Sequence, residues 1–339
     1  MGERSVIKGV NLHNIAIDAM GGDNAPSQII LGAINSITSN VKIFLVGREE
    51  VINSHLKTHT YDKTKIEIIN ATEVIGTEET TMAIKKKKDS SLAVGLKLLK
   101  EGHASSFISA GSTGALLTGA TLKIKRLQGI DRPALGTMLP CQGGFTLMLD
   151  SGANVDCKPH YLLQFAQLGS AYMQHVIGIN KPKVALVNIG SEKEKGNNLT
   201  KEAMELILKS NLNFVGNIEA RDIAKGNAHV IVCDGFVGNV ILKTAEGYSK
   251  FIFETIKKEL MSTTITKVGA LLSKPAFNNI KKTFDYSEVG GAPFLGLTSL
   301  VIKTHGSSKS KDIIAATRQS IKFIESDIIN KLKSSIANT

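Results

Sequence analysis

The chain of 339 residues is 42% hydrophobic and has a formal net charge of +11, so it can bury a large core and we expect an acidic or phosphorylated partner. No apolar run of membrane-spanning length lacks charge and the N-terminus shows no apolar signal segment, which predicts a soluble, cytoplasmic protein. The cysteines Cys141, Cys157 and Cys233 lie far apart, which argues against a disulfide framework or a metal knuckle. With 5% aromatic residues and no Trp, few rings can stack on bases, so nucleic acid is not an expected partner.

The first informative stretch is Ile15–Pro26, which reads as a short strand, a polar glycine turn and a helix start. The strand ends in Asp18, and the turn contains Gly21, Gly22 and Asp23. Open α/β sheets build sites at the carboxyl ends of their strands, and glycines let the backbone approach an anion at a helix N-terminus. A lone Gly-Gly turn is more often an ordinary connection between a strand and a helix, so a binding role is indicated only if the pattern recurs along the chain.

Strand and helix patterns alternate after this turn. Residues 42–47 and 65–70 read as buried strands, and residues 48–57 between them read as a helix. Strands separated by helices are typical of βαβ units, so we predict an α/β fold with an open, mainly parallel sheet and helices on both faces. The basic run Lys85–Lys88 is usually a solvated helix face, and a docking patch for an acidic protein is the alternative.

The second turn of this kind lies within Ser106–Leu116. A short strand runs into Ser109, and Gly111, Thr113 and Gly114 then precede an apolar helix. Small and hydroxyl residues at a helix N-terminus can form an anion cradle. The run does not match G-x-G-x-x-G, and no stretch matches the P-loop pattern, which counts against dinucleotide binding and P-loop chemistry.

Later strand ends repeat the pattern with polar residues. These residues are Asn154, Asn188, Lys195, Asn197, Arg221, Asp234, Asn239 and His305. Because the carboxyl ends of parallel strands share one edge of a sheet, we expect their side chains to converge with those of the first two turns. Each residue alone is more often a cap or turn former, but together they suit a site that binds phosphate.

A long helical pattern covers residues 244–282 and breaks near 262–266. We therefore expect a projecting helical hairpin at 244–285 within a single α/β domain at 13–335, built as one body or as two lobes. The second half of the hairpin combines apolar residues with flanking lysines, which suits either an interfacial membrane helix or a helix-packing or dimer surface. The residues of this pattern are Ile265, Val268, Leu271 and Leu272, with Lys267 and Lys274 beside them. After a turn at Gly290–Pro293, a last strand ends in His305 and a helix from Ser310 finishes the chain.

Taken together, eight motifs resemble the bacterial phosphate acyltransferase family, the acyl-[acyl carrier protein]:phosphate transacylases of phospholipid synthesis. These motifs are Ile15–Pro26, Ser109–Leu116, Asp131–Leu135, Asp150–Asn154, Asn188–Gly190 with Lys195–Asn197, Gly216–Asp222, Asp234–Val240 with Leu242–Thr244, and His305–Ser308. They occur in the family's order from about residue 13 to 325. Ser112 stands where the family usually has Asn, which affects fine contacts of the second turn and not the class.

The resemblance implies a Rossmann-like fold similar to that of the isocitrate and isopropylmalate dehydrogenases and of the phosphotransacetylases. It implies an enzyme that moves a long acyl chain from acyl carrier protein to inorganic phosphate, without a cofactor or metal. The acyl phosphate would pass to a membrane glycerol-3-phosphate acyltransferase. A homodimer in the cytoplasm, loosely associated with the inner face of the cell membrane, is the expected state.

The chemistry assigns roles to the strand-end residues. Phosphate must be oriented against the thioester, the oxyanion needs donors, and the leaving thiolate needs an acid or cation. The expected catalytic residues are Lys195 for phosphate, Asn239 for the oxyanion or the pantetheine amides, and His305 as proton shuttle. The expected substrate-binding residues are Asp18, Gly21, Gly22, Asp23, Ser109, Gly111, Thr113, Gly114, Asn154, Asn188, Asn197, Arg221 and Asp234.

Two other functional classes stay open on the sequence alone. A nucleotide-dependent dehydrogenase on the related fold would need a dinucleotide site, and titration with NAD(P) would reveal it. A non-catalytic scaffold for acidic proteins or membranes would release no thiol from acyl carrier protein in the presence of phosphate.

Overall fold

A computed structural model describes residues 12–76, 78–284 and 290–337 of the chain. The strands are β1 (His13–Asp18), β2 (Val41–Gly47), β3 (Ile66–Asn70), β4 (Ser106–Ser109), β5 (Ala134–Leu135), β6 (Thr137–Cys141), β7 (Gly144–Leu149), β8 (Val184–Asn188), β9 (Phe214–Glu219), β10 (Val230–Val232), β11 (Ala292–Leu295) and β12 (Leu300–Lys303). The helices are α1 (Ser27–Asn35), α2 (Glu49–Leu56), α3 (Ala83–Lys86), α4 (Ser91–Lys100), α5 (Thr113–Lys123), α6 (Pro159–Tyr172), α7 (Asn198–Leu208), α8 (Gly235–Leu260), α9 (Thr264–Leu272), α10 (Lys274–Phe284), α11 (Ser310–Glu325) and α12 (Ile328–Ala337). A π-helical turn (Met173–Ile177) continues α6, and a 3₁₀ helix (Ala220–Lys225) follows β9.

The chain divides into two compact units, one made of residues up to 125 with 297–327 and the other of residues 126–296 with those from 328 onward. Each unit is built on a parallel or mainly parallel sheet with helices packed against it. The predicted α/β fold with mainly parallel strands is therefore confirmed. The sequence pattern identified the individual strands, but periodicity carries no information about which strands pair, so it did not separate the two sheets.

In the first unit, β3, β2, β1, β4 and β12 pair in that order, and all these pairs are parallel. The chain moves outward from β1 to β3 and then returns to add β4 on the other side of β1. Such a reversal is the topological switch point at which open α/β sheets bind ligands. Asp18 and Ser109 end the two strands at this point, so the first two predicted turns are neighbours.

In the second unit, the sheet order is β6, β7, β10, β8 and β9. Only β6 is antiparallel to its neighbour, so the carboxyl ends of β7, β10, β8 and β9 lie on one edge. β5 and β11 pair antiparallel, and α6 packs on β7 and β10. The central strands β7, β10 and β8 are mostly buried, as expected for strands covered on both faces, and the edge strand β9 is partly exposed.

Three local predictions differ from the structure. The stretch Gly290–Pro293 is not only a turn, because its last two residues begin β11. The helix predicted from Ser310 is two helices, and Asp327 between them adopts a left-handed backbone with φ of 52°. The last strand ends at Lys303 and not at His305.

The predicted hairpin region consists of α8, α9 and α10. In α8 only Gly235 and Gly238 are buried, and α9 has no buried residue. The helices break between Leu260 and Thr264, close to the predicted position. In the described part of the chain, no helix combines the length and the apolar character that crossing a bilayer requires.

Candidate functional site

A buried carboxylate organises the strand ends of the first unit. Asp18 is almost fully buried, and its Oδ2 accepts a hydrogen bond of 2.7 Å from Ser109 Oγ. Ser109 Oγ in turn accepts one of 3.0 Å from the Gly111 N–H. Burial raises the pKa of Asp18 above its ordinary value, and hydrogen bonds from Ser91, Ser109 and the backbone of Met20 oppose that rise. Asp18 therefore fixes the turn after β4 through one hydroxyl group.

The Gly21-Gly22 turn packs directly on this second turn. A Cβ atom at Gly21 would lie 2.7 Å from Gly111 N, and one at Gly22 would lie 2.8 Å from Ala110 Cβ. Gly22 also has φ of +100°, a conformation that side chains disfavour. The Asp23 N–H donates a hydrogen bond of 2.8 Å to the Gly306 carbonyl. Three predicted segments thus meet within one unit, and glycine is required where they touch.

The N-terminus of α5 presents the predicted anion cradle. Ser112 is the N-cap, and its Oγ accepts a hydrogen bond of 3.4 Å from the Ala115 N–H. Thr113 and Gly114 form the first helical positions, whose N–H groups have no partner within an α-helix. A side chain at Gly114 would meet Thr81, so the helix start is closely covered there.

His305 lies in the exposed loop after β12. Its Nδ1 accepts a hydrogen bond of 3.1 Å from the Ser307 N–H and lies 2.8 Å from Ser307 Oγ. Because Nδ1 is an acceptor, the neutral ring carries its proton on Nε2. A proton that His305 exchanges with a substrate must therefore move at Nε2.

A buried lysine completes the strand ends of the first unit, and it was not among the predicted site residues. Lys303 ends β12, is only 8% exposed, and pairs in register with Ser109. Its Nζ donates to the carbonyl oxygens of Ala110, at 3.2 Å, and of Thr304. A lysine at the end of the apolar run Leu-Val-Ile was the available signal, since a charged residue is rarely buried without a polar partner.

In the second unit, the carboxylate of Asp150 holds the turn after β7. It accepts hydrogen bonds from the backbone N–H groups of Leu135, Gly152, Ala153 and Asn154 and from Asn154 Nδ2, at distances of 2.6 to 3.3 Å. Burial raises the pKa of Asp150, and these N–H donors oppose the rise. Asp150 was also absent from the predicted site residues, although its position at a strand end before Gly152 was a usable signal.

Three predicted residues gather around this turn. Asn154 Nδ2 also donates to the Pro133 carbonyl at 2.8 Å, so Asn154 is largely structural. Asp234 caps α8 by accepting a hydrogen bond of 2.8 Å from the Val237 N–H. Asn239 is exposed on the second turn of α8, and a Cβ atom at Gly152 would lie 3.5 Å from its Oδ1. Of the three, Asn239 has the side chain that faces solvent.

The loop after β8 holds three more predicted residues. Asn188 Nδ2 donates to the Lys195 carbonyl at 3.1 Å, and Asn188 Oδ1 accepts from the Ile189 N–H at 2.8 Å. Asn197 caps α7 by accepting from the Thr200 N–H at 3.0 Å. Lys195 itself is exposed, with its stem beside Gly190, where a Cβ atom would lie 2.9 Å from Lys195 Cγ. The loop is thus internally bonded and presents the Lys195 amino group to solvent.

Arg221 lies apart from these clusters in the 3₁₀ helix after β9. Its side chain is 77% exposed, and its guanidinium pairs with Glu219 at 3.0 Å. Because β8 separates β9 from β10, Arg221 is on the same sheet edge as Asp234 but two strands away. Its predicted contact with phosphate would require Arg221 to exchange this surface ion pair for the substrate.

The three cysteines are poorly suited to nucleophilic attack. Burial, followed by the negative charges of Asp150 and Asp234, raises the pKa of Cys157 to about 12. The same causes raise the pKa of Cys233 well above its ordinary value, and burial raises that of Cys141. Since the thiolate is the reactive form, these thiols are held in their inert state near neutral pH. Within the described segments, no three His, Cys, Asp or Glu side chains are grouped so as to hold a metal ion.

Comparison with known proteins gives a consistent picture. A family model described as "Fatty acid synthesis protein" matches residues 13–331. The chain is 50% identical over 321 residues to a phosphate acyltransferase of Clostridium acetobutylicum, covering 94% of this chain and 97% of that relative. It is 48% identical over 325 residues to a phosphate acyltransferase of Clostridium novyi, covering 95% and 98%.

Solved structures share the fold at low sequence identity. A phosphotransacetylase from Streptococcus pyogenes matches with a TM-score of 0.61 and 19% identity, covering 93% of this chain and 94% of that one. A branched-chain phosphotransacylase from Enterococcus faecalis matches with a TM-score of 0.57 and 14% identity, covering 92% and 98%. These similarities show a common α/β architecture.

Proposed function

The chain belongs to the family of fatty acid synthesis proteins, and from this premise we propose that it is a phosphate acyltransferase acting on a fatty acyl thioester of acyl carrier protein. The observation that carries the proposal is the 50% identity to a phosphate acyltransferase across 94% of the chain. The strand-end residues of each unit suit this chemistry: the first unit offers the N–H groups at the start of α5, and the second offers the amide of Asn239 and the solvent-facing Lys195. The predicted enzyme class agrees with these relatives.

In the proposed reaction, an oxygen of hydrogen phosphate attacks the thioester carbonyl and forms the new C–O bond. The tetrahedral oxyanion then collapses, the C–S bond breaks, and the proton of the phosphate ends on the leaving thiolate. On the first unit, the candidate phosphate-binding groups are the N–H groups at the start of α5, and on the second unit they are Lys195 and Arg221. Asn239 and Asn188 would stabilise the oxyanion or hold the pantetheine amides, and His305 would carry the proton through Nε2.

Direct attack by phosphate needs no acyl-enzyme, and the cysteine chemistry supports this route. We expect a variant with Cys141, Cys157 and Cys233 all changed to Ser to keep most of its phosphate-dependent release of thiol from acyl carrier protein. Because burial raises the pKa of Cys157 to about 12, its thiolate fraction increases only as pH rises toward that value. Iodoacetamide should therefore label Cys157 slowly at pH 8 in the folded protein and readily after unfolding, as measured by mass spectrometry. A labelled acyl group trapped on the protein in the absence of phosphate would contradict direct transfer.

Exposed apolar residues flank the polar strand ends of the second unit and suit a fatty acyl donor. Ile189 follows Asn188 and is 80% exposed, and Phe236 follows the Asp234 cap and is 62% exposed. The strands that precede them, β8 and β10, are neighbours with their carboxyl ends on one edge. Apolar side chains beside polar donors match a substrate that has a polar reacting centre and an apolar tail.

Acyl carrier protein is acidic, and a basic surface on the first unit supports its recruitment. Lys85, Lys86 and Lys88 are exposed on and just after α3. Lys87 differs, because its Nζ pairs with Glu79 at 2.7 Å and donates to the Val74 carbonyl at 2.8 Å. A test of recruitment should therefore leave Lys87 in place.

We expect the triple change of Lys85, Lys86 and Lys88 to Glu to raise KM for the acyl carrier protein substrate, and the rise should shrink with added salt. Turnover of a short acyl-pantetheine, which lacks the protein surface, should change little. Steady-state kinetics on both substrates measure the difference, with Lys57→Glu, an exposed lysine after α2, as the matched control. An equal loss on both substrates would contradict a docking role.

Peripheral membrane contact through α9 is a further part of the proposal. The helix is well formed, with Thr263 and Thr266 making a capping box, yet Ile265 is 86% exposed and Leu272 77% exposed. Exposed apolar side chains flanked by Lys267 and Lys274 suit an anionic bilayer surface. Release of a long-chain acyl phosphate at a membrane would bring it to a membrane glycerol-3-phosphate acyltransferase.

Exposed Tyr248 on α8 suits contact with a second copy in a homodimer.

We expect Val268→Glu combined with Leu271→Glu to weaken binding to vesicles that contain anionic lipid, because both side chains are exposed on α9 and would carry charge into the interface. Co-sedimentation measures the bound fraction, and light scattering checks that the oligomeric state is unchanged. Leu208→Glu, an equally exposed position at the end of α7, is the control. Wild-type vesicle binding by the folded double variant would show that α9 is not the anchor.

A further inference from the structure

Lys303 is a buried cationic side chain that the proposed reaction does not yet use. Lys303 on β12 is paired in register with Ser109 on β4. Ser109 in turn donates a hydrogen bond to Asp18 on β1, the next strand. Three adjacent parallel strands therefore end in a carboxylate, a hydroxyl and an amino group. The hydroxyl group is hydrogen-bonded directly to the carboxylate, and the amino group of Lys303 has a task of its own in this arrangement.

That task is to fix the peptide group between Ala110 and Gly111. The carbonyl of Ala110 accepts a hydrogen bond of 3.2 Å from Lys303 Nζ, and the N–H of Gly111 donates one of 3.0 Å to Ser109 Oγ. The Ala110–Gly111 peptide plane is thus held at its oxygen by a lysine and at its nitrogen by a hydroxyl that Asp18 orients. A second carbonyl, that of Thr304, also accepts from Lys303 Nζ. Two carbonyl acceptors suit the protonated amine, which has donors only.

The clamped peptide lies immediately before the start of α5. Ser112 caps that helix, and the N–H groups of Thr113 and Gly114 follow at its first turn. A rotation of the Ala110–Gly111 peptide would redirect these groups, because they come within the next three residues.

We propose that Lys303 is a positioning residue for phosphate, which orients the turn before α5 by holding the Ala110 carbonyl. The inference rests on the proposed function, since phosphate is the substrate assigned to the N-terminus of α5. It goes beyond that function because it names a residue that fixes the turn before α5 through the Ala110 carbonyl. Lys303 acts through Ala110 and need not touch the substrate.

The test compares Lys303→Met, which removes the donor and keeps most of the volume, with Lys97→Met on the exposed face of α4. We expect Lys303→Met to raise KM for phosphate by about tenfold to a hundredfold, the range for losing a hydrogen bond from a charged group. The KM for the acyl donor should stay within about twofold, because other residues bind it. A purely structural role would lower the yield or melting temperature without this split between the two substrates.

A second measurement does not depend on turnover. Inorganic phosphate should raise the melting temperature of wild type and of Lys97→Met, and it should do so much less for Lys303→Met at the same concentration. An unchanged phosphate KM together with an unchanged phosphate-induced shift would overturn the inference. If Lys303→Met does not fold, Ser109→Ala provides a second variant, because it removes the hydroxyl that accepts from the Gly111 N–H of the same peptide group. Ser109→Ala should then raise KM for phosphate selectively. Normal phosphate dependence in Ser109→Ala would then overturn it.

These outcomes separate this inference from the proposed function. If wild type releases no thiol in response to phosphate, the proposed function is wrong and the role of Lys303 falls with it. If wild type is active and Lys303→Met keeps a normal response to phosphate, only the role of Lys303 is wrong.

Discussion

Lys195→Ala and Arg221→Ala should each lower kcat/KM for phosphate by about two to three orders of magnitude. The loss of a charge-assisted contact to the anion, worth about 2–4 kcal/mol in the transition state, accounts for this size. Lys195 is already presented to solvent by a loop that Asn188 and Asn197 brace. Arg221 must leave Glu219 to reach phosphate, so its effect should be the smaller of the two.

The measurement is a phosphate titration at saturating acyl donor, with Lys193→Ala in the same loop as the control. Lys193 is also exposed, so its change alters the local charge by the same amount. If both Lys195→Ala and Arg221→Ala keep a normal phosphate dependence, their assignment to phosphate is wrong. A loss confined to Lys195→Ala would leave Arg221 as a surface residue paired with Glu219.

Asp150→Ala should strongly destabilise the protein. The carboxylate accepts hydrogen bonds from the backbone N–H groups of four residues around the turn after β7, and those of Leu135 and Asn154 would lose their acceptor in a buried site. A buried N–H group left without an acceptor costs about 1–3 kcal/mol, so losing several acceptors should cost at least about 3 kcal/mol, which corresponds to a fall in Tm of at least about 6 °C for a domain of this size.

Thermal and urea unfolding measure this effect. Asp156→Ala provides the matched control, because Asp156 is an exposed aspartate in the same turn and its removal should change stability by less than about 0.5 kcal/mol. Equal stability of the two variants would contradict the structural role of Asp150. Asp150→Asn should keep part of the stability that Asp150→Ala loses, since its one amide oxygen can still accept hydrogen bonds from some of the N–H groups.

The sequence contained enough information for the strands and turns, because each apolar run is followed by a polar residue and a glycine. Asp18, Ser109 and Gly22 were recognisable for that reason, and the structure brings them together. Lys303 was not recognised, since one lysine at the end of an apolar run is usually interpreted as the start of the solvent-exposed loop. Its burial depends on the register between β12 and β4, which are far apart in sequence.

Asp150 shows a second limit of sequence patterns. Its importance comes from the number of N–H groups that the folded turn points at one carboxylate, and residue types alone do not reveal that number. Arg221 shows the opposite case, in which a residue within a matched motif faces solvent and pairs with a neighbour. The division of the predicted residues between two units followed from strand pairing, which local periodicity does not encode.

The discontinuity of the first unit has a consequence for biosynthesis. Its strand β12 lies beyond residues 126–296, which form most of the second unit, so the ribosome makes β12 only after that whole segment. Until then β4 pairs only with β1 and its other side is an open edge, and the Ala110 carbonyl lacks the lysine that later holds it. The nascent first unit therefore carries an open sheet edge while the second unit is being translated, and this is the period in which aggregation through β4 must be prevented by a chaperone or outpaced by translation.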